Sequence, residues 1–164
     1  KISEFCSNMV STVPLSWSFL QQFGPQNPPL INMGRSESML RDYQKWRQEL
    51  TCSAVENIHQ LYFQKGQRFN LARNSFPYFL DGGIIHYVLW IDRKVGLEDF
   101  GKIESQEDPS DIVGREMEGA SKHICDNLFG GSREKMEENC VYFQNVLKLR
   151  SIKEIPHIHC FVRM

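Results

Sequence analysis

What the chain lacks narrows it first. Nineteen Lys and Arg stand against twenty Asp and Glu, a net charge of −1 over 164 residues. No basic field is on offer to nucleic acid or to an acidic membrane surface. No C-x-x-C occurs, and the five cysteines, Cys6, Cys52, Cys125, Cys140 and Cys160, are odd in number and widely spaced. That argues against a disulfide scaffold and for reduced thiols, so a cytoplasmic location is expected, with the nucleus as the alternative. The longest apolar run, 84–91, is interrupted by His86 and falls far short of the roughly 20 residues of a membrane-spanning helix. Lys1 opens no basic segment followed by an apolar one, so no signal peptide is expected. A chain that starts without Met is expected to be a trimmed or partial polypeptide. There is no internal repeat, no low-complexity tract, no Walker-type glycine loop and no H-E-x-x-H.

What is present suits one core. Hydrophobic residues make up 41% of the chain, with eleven Phe, five Tyr and three Trp, and the length supports one domain better than two. Residues 1–33 read as an irregular N-terminal segment, interrupted by Pro14, Pro25, Pro28 and Pro29, with a short helix from Ser16 that ends at Gly24-Pro25. Residues 34–164 read as a single α+β domain, an antiparallel sheet packed with helices. Apolar spacing predicts helices over 37–50, 53–65 and 114–128, the last despite Gly119. IIHYVLWI predicts a strand at 84–91, and further strands are expected at 139–145 and 155–163. KVGLEDFGKIESQEDPSD reads as a loop and GGSREKMEE as a polar connector.

The chemistry concentrates in histidines. In IPHIHCFV the period of two puts His157 and His159 on one strand face, about 7 Å apart, with Ile158, Cys160 and Val162 on the other. Imidazole attacks phosphorus, shuttles protons or ligates metals near neutral pH. His86 sits in the most apolar strand, where a polar ring is costly without a partner. If the two strands are neighbours, the three rings converge on one concavity. No metal-ligand spacing accompanies them, so no metal and no cofactor is implied. His59 and His123 fall on predicted helices and read as ordinary surface residues.

Other groups fit a phosphate pocket. Arg35 and Ser36 open a helix and form a candidate anion site, although capping alone would explain Ser36. In NSFPYFLDGG, Asn74, Phe76 and Tyr78 supply a polar reader and an aromatic wall for a base or sugar ring. Asn145, twelve residues before His157, is placed to hold phosphate or orient a histidine. The expected partner is a phosphorylated small molecule, with a protein partner as the alternative. His159→Ala, on a partly solvated wall, is expected to cost on the order of 1 kcal/mol.

Taken in order, GRS with Tyr43 and Trp46, FPYFLDGGIIHYVLW, VYFQN and SIKEIPHIHCFV resemble the family that includes the fungal N-acetylglucosamine-induced protein, over about residues 33–163. More distantly, N-x₁₁-H-x-H resembles the signature strand of the histidine-triad superfamily, with its hexose-1-phosphate uridylyltransferase branch. That resemblance implies a histidine-triad-like fold acting on a nucleotide or nucleotide-sugar. His159 would be the nucleophile, with His157 and His86 orienting it or moving protons. Phe161 stands where a third histidine would be, which favours a binding module over a hydrolase. Phe161→His is expected to raise any hydrolytic activity.

Overall fold

The computed structural model describes residues 9–49, 60, 62–63, 66–93, 112, 114–150, 152 and 155–164. The helix expected over 53–65 and the loop expected after Arg93 lie almost wholly outside these residues.

Ser16 caps α1 (Trp17–Leu20), its hydroxyl accepting the Phe19 N–H at 3.2 Å. This helix is one turn long, shorter than the apolar stretch suggests. Ser36 caps α2 (Glu37–Glu49) in the same way, accepting the Met39 N–H at 3.4 Å. Leu40 and Tyr43 form the buried side of α2. β1 (Phe69–Arg73) is a strand that the pattern does not announce, because FNLAR alternates weakly and buries none of its residues fully. β2 (Ile84–Ile91) is the expected apolar strand.

α3 (Gly114–Phe129) tolerates Gly119 because a side chain there would meet the Phe69 ring at 3.2 Å. Gly130 and Gly131 take φ of 59° and 82°, which closes α3. Ser132 then caps a new helix, α4 (Arg133–Asn139), accepting the Lys135 N–H. The connector expected at GGSREKMEE is therefore helical. Its single buried residue, Met136, left no apolar period to read. β3 (Cys140–Phe143), a short 3₁₀ turn at Leu147–Leu149 and β4 (His157–Arg163) complete the order.

The four strands form one antiparallel sheet in the order β1-β2-β4-β3, giving a single-domain α+β arrangement. Register sorts the side chains into two faces. Leu89, Ile91, Ile158, Cys160 and Val162 meet Ala120, Ile124 and Cys125 of α3 and Met136 of α4. Each large aliphatic withdrawn from water there contributes roughly 1.5–3 kcal/mol. Cys125, Cys140 and Cys160 are free, buried thiols in this layer.

The opposite face carries His86, Val88 and Trp90 of β2 beside Phe161, His159 and His157 of β4, pair by pair. β3 sets Phe143 opposite His159. One end of this face is closed by Leu20, Met33 and Tyr78, which pack on Phe143 and Phe161. At the other end Ile155 and Tyr62 pack on Val88 and Trp90. Among the described residues, no helix is long and apolar enough to cross a membrane.

Candidate functional site

The antiparallel register of β2 and β4 brings the three strand histidines together. His86 Nε2 lies 2.9 Å from His159 Nδ1, and the His157 and His159 rings meet edge to face at 5.4 Å. All three are buried, with exposures of 2% for His86, 5% for His157 and 6% for His159. They form no cluster that could hold a metal ion among the described residues.

The proton positions follow from one donor that cannot be reversed. The backbone N–H of Tyr78 donates to His86 Nδ1 at 3.3 Å. Asn74 adds a second donor there: its Oδ1 accepts the Phe76 N–H, which turns its amide nitrogen toward the His86 ring. A ring nitrogen that accepts carries no proton, so His86 holds its proton on Nε2 and donates to His159 Nδ1. The His159 proton then sits on Nε2, facing the side-chain amide of Asn145 at 3.0 Å. Which end of an amide is oxygen is decided by its partners, and here His159 requires the carbonyl end. The same amide atom lies 3.1 Å from the Tyr78 hydroxyl, which can donate to it.

Burial holds these rings neutral. It pushes the pKa of His86 well below the usual imidazole value, helped by the Arg35 charge and by His157. His159 is lowered well below that value too, first by burial and then by His86, His157 and Arg35. His157 is lowered to about 4 by burial, with Arg150 adding to the shift and the Ile155 carbonyl opposing it. His157 differs from its neighbours in one respect. Its Nδ1 faces the Ile155 carbonyl at 2.8 Å, so Nδ1 donates and Nε2 keeps its lone pair.

A cleft with about 520 Å³ of empty space, counted out to solvent, opens beside this network. It is lined by His157 and His159, by Arg35 and Arg73, and by aromatic rings on two sides. Tyr43 and Trp46 of α2 cluster with Phe76, the Trp46–Phe76 centroids 5.2 Å apart. Across from β4, Trp90 stacks on Tyr62 at 5.1 Å and leans on His157 at 4.8 Å.

Arg35 is placed by the chain that crosses it. Val10 and Arg35 form a parallel bridge, with Ser11 N–H donating to the Arg35 carbonyl at 2.8 Å. Gly34 makes that approach possible, because a Cβ there would sit 2.9 Å from the Ser11 backbone nitrogen. The Arg35 side chain is 8% exposed. Its Nε donates to the Phe76 carbonyl at 2.9 Å, and its guanidinium lies 4.0 Å over the Tyr43 ring. No carboxylate pairs with it among the described residues. The contrast is Glu116, equally buried, which is paired by both Arg68 and Arg93.

Of the residues singled out in the sequence, Arg35, Asn74, Phe76, His157 and His159 line the cleft. His86, Tyr78 and Asn145 do not. They stand behind the wall, Tyr78 stacking on His86 at 4.9 Å and on His159 at 5.5 Å. Ser36 is occupied as a helix cap and also lies outside the cleft. Trp90, Tyr62 and Arg73 line it without having been singled out. Trp90 was reachable, since it lies two and four residues beyond Val88 and His86 on the same face. Arg73 sits on the strand that the pattern concealed.

Comparison with known proteins adds a family and a fold. No curated protein matches the chain. A solved structure described as "Crystal Structure of HTC1" superposes with a TM-score of 0.51 at 19% identity, over 80% of this chain and 76% of that one. At that identity the likeness shows the fold alone. The model of the family described as "Protein of unknown function (DUF3605)" matches residues 16–163, and the chain belongs to that family.

Proposed function

We propose that this domain binds a phosphorylated small molecule of the nucleotide or nucleotide-sugar class. The observation that carries the reading is the Arg35 guanidinium, buried in the cleft wall with no carboxylate paired to it among the described residues. A buried cation costs several kcal/mol unless an anion compensates it, and the Tyr43 ring offsets only part of that. A ligand phosphate completes the pair, while Trp46, Phe76 and Trp90 offer faces to a base or sugar ring. The resemblance of the terminal strand to the histidine-triad signature points the same way.

Isothermal titration of the protein with a nucleotide-sugar, alongside Arg35→Met, tests this reading. Saturable binding that falls at least tenfold in the variant is expected. Equal affinity in both proteins, or none in either, counts against it.

A second reading adds turnover, and His157 is the residue that favours it. His159 engages both ring nitrogens, with Asn145 and His86, so it has no lone pair to offer phosphorus. His157 lines the cleft as a neutral ring with its Nε2 lone pair available. Incubation with a nucleotide-sugar followed by mass spectrometry is expected to give product, or a phosphohistidine at His157. Binding without either leaves the domain a binding module.

A further inference from the structure

We propose that Cys140 and Cys160 are a redox modification site, at which hydrogen peroxide closes a reversible disulfide between β3 and β4. The site lies on the sheet face opposite the histidines and is independent of the cleft and its ligand.

Register makes the pair. Cys140 lies opposite Val162 and Tyr142 opposite Cys160, so the two cysteines are diagonal neighbours on the face that packs against α3. Their Sγ atoms are 3.3 Å apart. A buried thiol is ordinarily an inert small hydrophobe, but two features set this pair apart. Closing the gap to a disulfide of about 2.05 Å takes roughly 1.2 Å of movement. The strand that must move is the freer one. β3 is four residues long, lies at the sheet edge and starts at Cys140, which is also the C-cap of α4. A bond drawn across a diagonal is strained and so is readily reduced, which makes it reversible.

The chemistry needs no group beyond the two sulfurs and the peroxide. Cys140, 9% exposed against 0% for Cys160, meets the oxidant first. Its sulfur attacks one peroxide oxygen, the O–O bond breaks, and the thiol proton leaves with the departing hydroxide as water. Cys140 is then a sulfenic acid. The contact with Cys140 and burial push the Cys160 thiol pKa up, so Cys160 keeps its proton until the second step. There its Sγ attacks the Cys140 sulfur, the S–O bond breaks, and the Cys160 proton leaves with that hydroxide as a second water. Two thiols are oxidised to one disulfide while one peroxide is reduced to two waters.

Peptide mapping tests this. Reduced, folded protein is treated with hydrogen peroxide, alkylated in urea and digested with trypsin without reductant. Mass spectrometry is expected to find residues 136–148 joined to 154–163, lighter by two hydrogens than the two peptides together. The link should exceed every other cysteine pairing about tenfold or more, and vanish with dithiothreitol. In Cys160→Ala, dimedone should instead label Cys140 as the sulfenic acid. In Cys125→Ala, which removes another thiol of the same layer, the link should form as in wild type. Full alkylation of both Cys140 and Cys160 after peroxide overturns the proposal, as does linkage of either one as often to Cys6, Cys52 or Cys125. The wild-type map decides this even where Cys160→Ala fails to fold.

Discussion

His86 and His159, 73 residues apart in sequence, share one proton across a 2.9 Å contact between the two central strands. His159 has Asn145 on its far nitrogen, and His86 has the Tyr78 backbone amide. The pair is therefore as much a part of the core as of any site.

The first prediction reverses an expectation from sequence. His159→Ala is not a cheap change at a solvated wall. It removes a ring that is 6% exposed and strands His86 Nε2–H and Asn145. Each buried polar group left unpaired costs about 1–3 kcal/mol, so a loss of roughly 2–4 kcal/mol is expected in urea unfolding. A loss below about 1 kcal/mol would show that the network carries little. Phe161→His is expected to destabilise as well. Phe161 is fully buried, stacked on His86 at 4.5 Å and packed on Phe143, so a new polar ring there is desolvated among apolar neighbours.

Tautomers can be read directly. Long-range ¹H–¹⁵N correlation at pH 7 is expected to show His86 and His159 protonated on Nε2 and His157 on Nδ1. Asn145→Asp should keep the contact to His159, since a carboxylate oxygen accepts from Nε2–H as the amide carbonyl does. Asn145→Leu should break it. An Nδ1–H signal from His159 would mean that the amide donates and the chain of protons runs the other way.

The pH dependence has a definite sign. A histidine whose folded pKa lies below its unfolded value binds fewer protons when folded, so stability is full above about pH 6.5 and falls as pH drops toward the folded pKa. For His157, with a folded pKa of about 4, the whole interval is worth on the order of 3 kcal/mol, about half of it between pH 6.5 and 5. His86 and His159 shift in the same direction and add to it. Unfolding free energies measured at pH 7.5, 6 and 5 should decline steadily. A flat profile over that range would mean the rings are hydrated.

Some of this was legible in the sequence, and the reasons are local. IIHYVLWI announced β2 because an apolar, β-branched run has few other uses, and the period of two put His157 and His159 on one face. FNLAR hid β1 because an edge strand with no fully buried residue has no pattern to show. REKMEEN hid α4 because one buried Met cannot make a period. Contact between His86 and His159 depends on register, which no local pattern fixes. Burial was the larger surprise: H-x-H looks like a reactive surface, and the sequence does not reveal that Asn145 and Tyr78 close over its second ring.

The last prediction separates Arg35 from a structural arginine. Glu116 is buried and is paired by two partly buried arginines, Arg68 and Arg93, with Arg93 Nη2 at 2.7 Å. Removing that carboxylate with Glu116→Gln takes charge-assisted hydrogen bonds from both arginines and should cost about 2–3 kcal/mol. Arg35 has no such partner among the described residues, so Arg35→Met removes a charge they leave uncompensated and keeps an aliphatic stem against Tyr43. Its losses are one hydrogen bond to the Phe76 carbonyl, roughly 1 kcal/mol, and part of a cation–π contact. Relief of the desolvated charge offsets both. Thermal unfolding of ligand-free Arg35→Met is therefore expected within about 1 kcal/mol of wild type, or above it. Glu116→Gln should melt clearly lower. An Arg35→Met protein as unstable as Glu116→Gln would make Arg35 a structural residue, and would remove the reason to look for an anion in the cleft.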